Sequence, residues 1–212
     1  MVDCVKRYRI FLFFSFFLVF ALFNFVSSNE LIQTKSKISR CVTCHTITGN
    51  SSVGMWPKIA EQHSDYMLKQ LIEFKKGKSG DRFDPTMFGM LQGLSEEELL
   101  EFINHYSSQK VVKSDVKFDA ELFNTGKKLY LFGDKDKGIS GCVGCHGIDG
   151  MGNSSAKYPV LKWQHKEYII IQMNKFKSKT RSNDINSIMR DISDKMTSDQ
   201  IDAVATYITN MK

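Results

Sequence analysis

Apolar and polar positions along the chain recur at the spacing of helices, and no stretch alternates as a strand would. Tyr66, Met67, Leu71 and Phe74 share one face of a helix predicted over 64–76. A second helix is predicted from Asp119 to about Phe132, ending at Gly133. Further helical segments are predicted over 31–40, where the pattern is short, over 166–177, and after the capping boxes at 95–98 (S-E-E-E) and 197–200 (T-S-D-Q). The pattern predicts an all-α protein.

The same pattern occurs twice, so the chain is a tandem repeat. A shift of 101 residues superposes C-V-T-C-H at 41–45 on C-V-G-C-H at 142–146, and a shift of 102 aligns the later residues of the two copies. The polar segment 107–118 lacks helical periodicity and is predicted to be a linker. We therefore predict two homologous helical domains, over 29–110 and 111–212.

The first 28 residues have the features of an export signal. Lys6, Arg7 and Arg9 form a basic start, residues 10–23 are apolar apart from Ser15, and small residues end at Ser28. The apolar run is short for a membrane span. We predict export and cleavage near Ser28. An uncleaved anchor that attaches the protein to the membrane is the alternative.

Each C-x-x-C-H segment has the pattern of a covalent haem attachment site. Residues three apart share a helix face, so two thiols of one turn bind one porphyrin. The next histidine then lies over the ring as an iron ligand. The sequence predicts two haem c groups. Their thioether cysteines are Cys41, Cys44, Cys142 and Cys145, and their iron-ligating histidines are His45 and His146.

Two other interpretations of the cysteine pairs are a shared zinc site and a thioredoxin-like redox motif. Zinc would require the two pairs to converge, although they lie 101 residues apart in different repeats. A redox motif would follow a strand, and none is predicted. The fifth cysteine, Cys4, lies in the export signal, so no disulfide framework remains after cleavage.

The repeat also selects candidates for the sixth iron ligand. Of ten methionines, only Met87 and Met189 face each other in register, in what we predict to be a loop before the last helix of each repeat. A thioether ligand there would raise the reduction potential. The alternative is that both are adaptable core residues.

The alignment of the two repeats also pairs two histidines and two prolines. His63 and His165 could supply bis-histidine ligation, but each stands at the start of a predicted helix, where a helix-terminal role is favoured. Pro57 and Pro159 are either ordinary turn residues or supply a carbonyl that accepts a hydrogen bond from the ligand imidazole.

Charge narrows the range of partners. The chain carries a formal net charge of +6, and residues 111–212 hold 16 Lys and Arg against 12 Asp and Glu, while 29–110 hold 10 of each. The excess is too small to indicate nucleic acid binding. A mildly basic face that docks on an acidic redox protein and a merely solvated surface are both compatible with it.

Longer motifs resemble the diheme cytochromes c of the cytochrome c4 family. They are C-V-G-C-H-G-I-D-G-x-G-N at 142–153, W-P-K-I-A-E-Q-H-x-x-Y at 56–66, W-Q-H-x-x-Y at 163–168, M-F-G-M-L-x-x-L-S at 87–95 and M-R-D-I-x-x-K-M-T at 189–197. The resemblance implies two class I cytochrome c domains, Met87 and Met189 as distal ligands, and Pro57 and Pro159 as the carbonyls that orient His45 and His146. The first repeat departs from the pattern, since Thr46 stands where the family has glycine.

The resemblance also implies a periplasmic electron carrier, not an enzyme, that takes electrons from a membrane cytochrome complex and passes them toward a terminal oxidase. Two six-coordinate irons leave no open position for a small-molecule substrate, so transfer is expected to be outer-sphere. Alternatives are a cytochrome subunit of a dehydrogenase complex and a diheme peroxidase, which would need one open iron. A thiosulfate-oxidising enzyme would require a cysteine as an iron ligand. No cysteine outside the two motifs remains after cleavage of the export signal.

Overall fold

The computed structural model describes residues 38–212, and this part of the chain is built from helices. Its α-helices are α1 (38–45), α2 (Ser64–Lys75), α3 (Pro85–Leu91), α4 (Glu96–Ser107), α5 (Ala120–Phe132), α6 (Val143–His146), α7 (Lys166–Lys177), α8 (Ile188–Lys195) and α9 (Ser198–Asn210). Short 3-10 turns cover Gly77–Ser79 and Ile185–Ser187. The only β pairing in 38–212 consists of three isolated bridges. The all-α prediction is confirmed.

In the first repeat, α2 packs against α3 and α4. The apolar side of α4 is buried and includes Leu99, Phe102 and Ile103. Ser95 begins this helix by accepting a hydrogen bond from the Glu98 amide, while the Glu98 side chain accepts one from the Ser95 amide. This confirms the predicted capping box, which satisfies two amides that would otherwise lack acceptors.

In the second repeat, α5 crosses α9 and α7 packs against α8 and α9. Asp119 caps α5 by accepting from the Leu122 amide, and Thr197 forms a capping box with Gln200 at the start of α9. Nine of the thirteen residues of α9 are buried, so this helix is the centre of the repeat. The helices predicted over 64–76, 119–132 and 166–177 are confirmed to within one residue.

One expectation about the backbone was wrong. The segments that carry Met87 and Met189 were predicted to be loops, but both residues lie in the first turn of short helices, α3 and α8. These helices are only seven and eight residues long, which gives the apolar pattern too few turns to repeat.

Residues 41–212 form one compact unit, in which the two repeats exchange side-chain hydrogen bonds. Gln62 bonds the amide and carbonyl of Val160, at 2.9 and 3.0 Å, and Gln164 makes the same pair of bonds to Lys58, at 2.9 and 2.8 Å. The predicted linker over 107–118 is not helical from residue 108 onward, and Ser107 is the last residue of α4. The domain boundary at 110/111 stays a prediction.

The predicted export signal and most of the predicted opening helix over 31–40 lie outside the described residues. Between residues 38 and 212, no helix combines the length and the apolar character that a membrane crossing requires.

Candidate functional site

Each C-x-x-C-H motif lies on one helical turn. Cys41 and Cys44 lie in α1, which ends at His45. Cys142 is the residue before α6, and Cys145 and His146 complete that helix. All four cysteines are half-buried, and none of them is in a disulfide. The backbone therefore places both thiols of each motif on one side of a turn, with the histidine directly after them.

Both motif histidines are buried, at 8% and 7% exposure, and both are fixed by a proline carbonyl. His45 Nδ1 lies 2.9 Å from the carbonyl oxygen of Pro57, and His146 Nδ1 lies 3.0 Å from that of Pro159. Because a carbonyl only accepts, each Nδ1 carries the hydrogen, and Nε2 is the nitrogen left with a lone pair. This is the tautomer that a metal-binding imidazole needs.

Burial also suits these imidazoles to metal binding. It lowers the pKa of His45 and of His146 below the ordinary value, against the smaller opposing effect of the hydrogen bond to the proline carbonyl. Both rings are therefore neutral near pH 7, the form in which histidine binds a metal.

The backbone turns sharply after each histidine. Thr46 and Gly147 follow them with φ values of 62° and 77°, in the left-handed region. The carbonyl of Thr46 accepts from Tyr106 Oη at 3.1 Å, and that of Gly147 accepts from Tyr130 Oη at 2.7 Å. The two tyrosines come from different helices, α4 and α5, so the shift that aligns the repeats does not pair them. Sequence reasoning missed both.

Met87 and Met189 are half-buried, and an aspartate organises the start of each methionine helix. Asp84 accepts from the amides of Thr86 and Met87, each at 3.1 Å. Asp184 accepts from the amide of Arg190 at 3.0 Å and pairs with its guanidinium at 2.7 Å. Met189 also packs against the core of the second repeat. The structure thus gives both methionines a fixed backbone, while their role as iron ligands stays a prediction.

In each repeat, a lysine of the long helix before the methionine donates a hydrogen bond to a backbone carbonyl just after the methionine helix. Lys75 of α2 donates to the carbonyl of Leu94, and Lys177 of α7 donates to that of Met196. These bonds close the two segments at equivalent points, just before α4 and α9. Each methionine therefore sits on a segment held at both ends.

The other paired histidines are engaged elsewhere. His63 and His165 are the residues before α2 and α7, as the helix-terminal interpretation predicted, but neither ring caps its helix. His63 Nε2 lies 2.8 Å from the carbonyl of Met151, and His165 Nε2 lies 2.8 Å from that of Ser51. Both bonds cross between the repeats. Such contacts favour a structural role over bis-histidine ligation.

Neither alternative for the cysteine pairs gains support from the geometry. Within 38–212 no three His, Cys, Asp or Glu side chains are grouped as a metal site requires, so the pairs do not converge on a zinc ion. Burial raises the pKa of Cys142 to about 11, whereas the attacking cysteine of a redox motif has a lowered pKa.

Comparison with known proteins identifies the family. The sequence model of the Cytochrome c family matches residues 123–212. A cytochrome c4 of Thiocapsa roseopersicina is 36% identical over 172 residues, which cover 81% of this chain and 86% of that protein. The chain belongs to the cytochrome c4 family. The crystal structure of reduced cytochrome c4 from Pseudomonas stutzeri superposes with a TM-score of 0.79 at 35% identity, covering 84% of this chain and 96% of that one.

A differently named relative matches a similar length of this cytochrome c4-family chain. It is the "Thiosulfate dehydrogenase electron acceptor" of Stutzerimonas stutzeri strain A1501, 34% identical over 181 residues, which cover 81% of this chain and 78% of that protein. The name of that relative gives it a redox enzyme as its electron donor.

Family membership settles the cofactor. This is a diheme c-type cytochrome, an electron-transfer protein with two covalently bound haem c groups. The residues present fit that cofactor, because each repeat offers two thiols on one turn and a neutral imidazole whose Nε2 is free of the proline carbonyl. When bound, each haem supplies a one-electron ferric–ferrous couple.

Proposed function

We propose that this chain is a periplasmic electron carrier in which both irons have one histidine and one methionine ligand. The thioether bonds are assigned to Cys41, Cys44, Cys142 and Cys145. The iron ligands are assigned to His45 and Met87 in the first repeat and to His146 and Met189 in the second. The observation that carries the proposal is the repetition of one arrangement: an imidazole fixed by a proline carbonyl, and a methionine in the first turn of a short helix fixed at both ends.

In this proposal the protein holds its ligands still instead of binding a substrate. Pro57 and Pro159 set the tautomer and the orientation of His45 and His146, and a hydrogen bond to Nδ1 makes Nε2 a stronger donor. Asp84 and Lys75 fix the two ends of the segment that carries Met87. A rigid ligand set changes little between the two oxidation states, which favours outer-sphere transfer.

Replacement of single methionines tests the ligand assignment. Met87→Ala and Met189→Ala should each keep two haems per chain, lose about half of the weak far-red sulfur-to-iron absorption of the oxidised protein, and bind carbon monoxide at one haem when reduced. The matched control is Met90→Ala, in the same short helix as Met87 but 44% exposed. It should keep two haems and the full far-red absorption, and it should not bind carbon monoxide. Full far-red absorption in Met87→Ala and Met189→Ala would refute methionine ligation.

We further propose that the carrier delivers electrons toward a terminal oxidase from a membrane cytochrome complex. The family supports a carrier, and the basic excess of residues 111–212 suits an acidic partner. Stopped-flow mixing of the reduced protein with oxidase-containing membranes tests this step. Reoxidation should be fast, saturable, inhibited by cyanide and slowed by added salt. Reoxidation no faster than that of a buffer control would refute it.

A second candidate is the electron acceptor of a thiosulfate dehydrogenase, favoured by the relative that carries this name. The test mixes the oxidised protein with a purified thiosulfate dehydrogenase and thiosulfate, and follows the haem absorption. Reduction as fast as that by a quinol-reduced membrane cytochrome complex would support this candidate. A much slower reduction would leave the membrane complex as the donor. Co-purification of a large flavin or quinone subunit would instead indicate a dehydrogenase complex.

A further inference from the structure

Each repeat inserts one buried glutamine into the backbone of the other repeat. Gln62 and Gln164 are only 8% and 7% exposed. Oε1 of Gln164 accepts a hydrogen bond from the backbone N–H of Lys58, and Oε1 of Gln62 accepts one from that of Val160, each at 2.9 Å. Nε2 of the same two side chains donates to the carbonyls of Lys58 and Val160, at 2.8 and 3.0 Å. Two bonds across the contact thus fix each glutamine.

Neighbouring bonds determine which end of each glutamine amide is the oxygen. The backbone N–H of His165 also donates to Oε1 of Gln164, at 3.0 Å, and that of His63 donates to Oε1 of Gln62, at 3.1 Å. Because two N–H groups point at Oε1 and a backbone carbonyl faces Nε2, the reverse orientation would place donor against donor. Each glutamine therefore presents an acceptor to a backbone N–H of the opposite repeat.

The peptide that Gln164 contacts is the one that orients the first motif histidine. The N–H of Lys58 and the carbonyl of Pro57 belong to the same peptide unit. This carbonyl accepts from Nδ1 of His45 at 2.9 Å. A chain of hydrogen bonds therefore runs from the imidazole of the first repeat, through one peptide, to a side chain of the second repeat.

The second repeat has the reciprocal arrangement. The N–H of Val160 and the carbonyl of Pro159 form one peptide unit, and the carbonyl accepts from Nδ1 of His146 at 3.0 Å. Gln62 of the first repeat accepts from the N–H side of that unit. Each motif histidine is thus linked by two successive bonds to a glutamine that its own repeat does not contain.

Hydrogen bonds in such a chain strengthen one another. An acceptor on the N–H side polarises the peptide and makes its carbonyl oxygen a stronger acceptor, by roughly 10–30% per bond. A stronger bond to Nδ1 makes Nε2 a stronger electron donor to a bound metal. Stronger donation favours ferric over ferrous iron, so the glutamine on the far side of the peptide lowers the reduction potential.

We propose that the two glutamines tune the haems in trans: Gln164 of the second repeat acts on the haem of the first, and Gln62 of the first acts on the haem of the second. Both are positioning residues, since they act through the proline carbonyl and the ligand histidine. The proposal rests on the histidine ligation of the two-haem carrier proposed above. It makes each reduction potential depend on the contact between the repeats.

Leucine variants test the crossed assignment, because leucine has a similar size and no amide. Gln164→Leu should raise the potential of the first-repeat haem by about threefold in the reduction equilibrium, or about 28 mV for one electron at about 59 mV per tenfold. The second-repeat haem should change much less. Gln62→Leu should give the opposite pattern. Proton NMR of stepwise reduced samples at pH 7 follows the two haems separately, through methyl signals assigned by way of the attached cysteines.

The matched control breaks a different hydrogen bond between the repeats. Ser182 Oγ donates to Asp81 Oδ1 at 3.0 Å, beside the isolated backbone bridge between Arg82 and Arg181. Ser182→Ala removes that bond and touches neither proline peptide. It should leave both potentials close to those of the wild type.

The Nδ1 proton supplies a readout that a merely structural contact would not change selectively. In the reduced protein, the His45 Nδ1 proton should move upfield in Gln164→Leu, while that of His146 stays in place. If the leucine variant does not fold, Gln164→Glu keeps an acceptor for the Lys58 N–H, and a carboxylate accepts more strongly than an amide. The potential of the first-repeat haem should then fall, and a rise would overturn the proposal.

Three results with the leucine variants would overturn it. The first is a change confined to the haem of the repeat that carries the substitution, which would show an effect in cis. The second is an equal change at both haems, which would show general loosening of the contact. The third is no change beyond that of Ser182→Ala. Haem content, far-red absorption and carbon monoxide binding of the same samples show separately whether the carrier assignment itself fails.

Discussion

At the scale of single residues, the turn after the histidine of each C-x-x-C-H motif shows how one departure from the repeat is tolerated. Gly147 has a φ of 77°, where glycine meets no steric cost, and Thr46 adopts the equivalent turn at 62°. A β-branched side chain in this region is strained by about 1–3 kcal/mol. Tyr106 donates to the Thr46 carbonyl and helps to hold the turn. The first repeat therefore adopts the same turn as the second repeat, at a cost to the free energy of unfolding.

Replacing the threonine should release that strain. We expect Thr46→Gly to raise the free energy of unfolding by about 1 kcal/mol, because the gain exceeds the greater freedom of glycine in the unfolded chain. Thr48→Gly is the matched control, since it removes the same contact between the Thr46 and Thr48 hydroxyls without a positive φ at its own position. Denaturant unfolding of the holoprotein, followed by circular dichroism, measures both. A Thr46→Gly variant no more stable than Thr48→Gly would contradict the strain argument.

At the scale of helices, the second repeat depends on one close crossing. α5 reaches α9 at Gly126, where an added Cβ would lie 1.9 Å from the backbone oxygen of Ala203 and 2.5 Å from its carbonyl carbon. Backbone atoms cannot rotate away as a flexible side chain does, so the helices would have to separate. Interiors this densely packed transmit such strain to their surroundings.

Gly126→Ala should therefore destabilise the protein by about 1–3 kcal/mol or more, the usual cost of overpacking a core. Gly89→Ala in α3 provides the contrast, because its added Cβ meets no described atom within 4 Å. That control should be neutral or slightly stabilising, since alanine favours a helix. Thermal unfolding of both holoproteins measures the difference. Equal midpoints would show that the crossing tolerates a wider spacing.

The long helices could be predicted from sequence because their signals are local. Asp119, Ser95 and Thr197 mark helix starts by capping, and apolar spacing marks the buried faces. The short helices α3 and α8 lack such repetition, and α8 follows two residues with positive φ, Asn186 and Ser187. Their methionines were found by comparing the repeats instead of by periodicity.

The contacts between the repeats escaped sequence reasoning for a different reason. Arg82 and Arg181 are 99 residues apart, whereas the flanking positions align at 102, so a constant shift never pairs them. Gln62 and Gln164 do align, but only coordinates show that each bonds the backbone of the other repeat. Partners that lie far apart in sequence leave no local pattern to detect.

At the scale of the whole molecule, reciprocal bonds make the repeats depend on each other. His165 reaches the carbonyl of Ser51, and the counterpart bond runs from His63 to Met151. Burial lowers the pKa of His165 below its ordinary value of 6.5, in spite of the raising effect of its bond to Ser51. Acid should therefore weaken the contact, since His165 binds a proton more strongly in the unfolded chain than in the folded protein.

The sign of this pH dependence can be tested. The contribution of His165 is fully present above about pH 6.5 and is lost as the pH falls below that value toward the lowered pKa of the folded state. His165→Gln keeps a donor for the Ser51 carbonyl but cannot titrate. Thermal midpoints between pH 7 and pH 5 should fall less in His165→Gln than in the wild type. An equal fall in both would show that His165 does not contribute.

The central claim is that two closed haem sites make this protein a carrier. Its most direct test is one set of absorption spectra of the periplasm-expressed wild-type protein, oxidised and reduced, with the haem-to-protein ratio and a carbon monoxide challenge. We predict two haems per chain, far-red sulfur-to-iron absorption in the oxidised form, and no carbon monoxide binding by the reduced form. A high-spin component or ready binding of carbon monoxide would show an open iron and contradict the account, and a peroxidase assay would then be the next experiment.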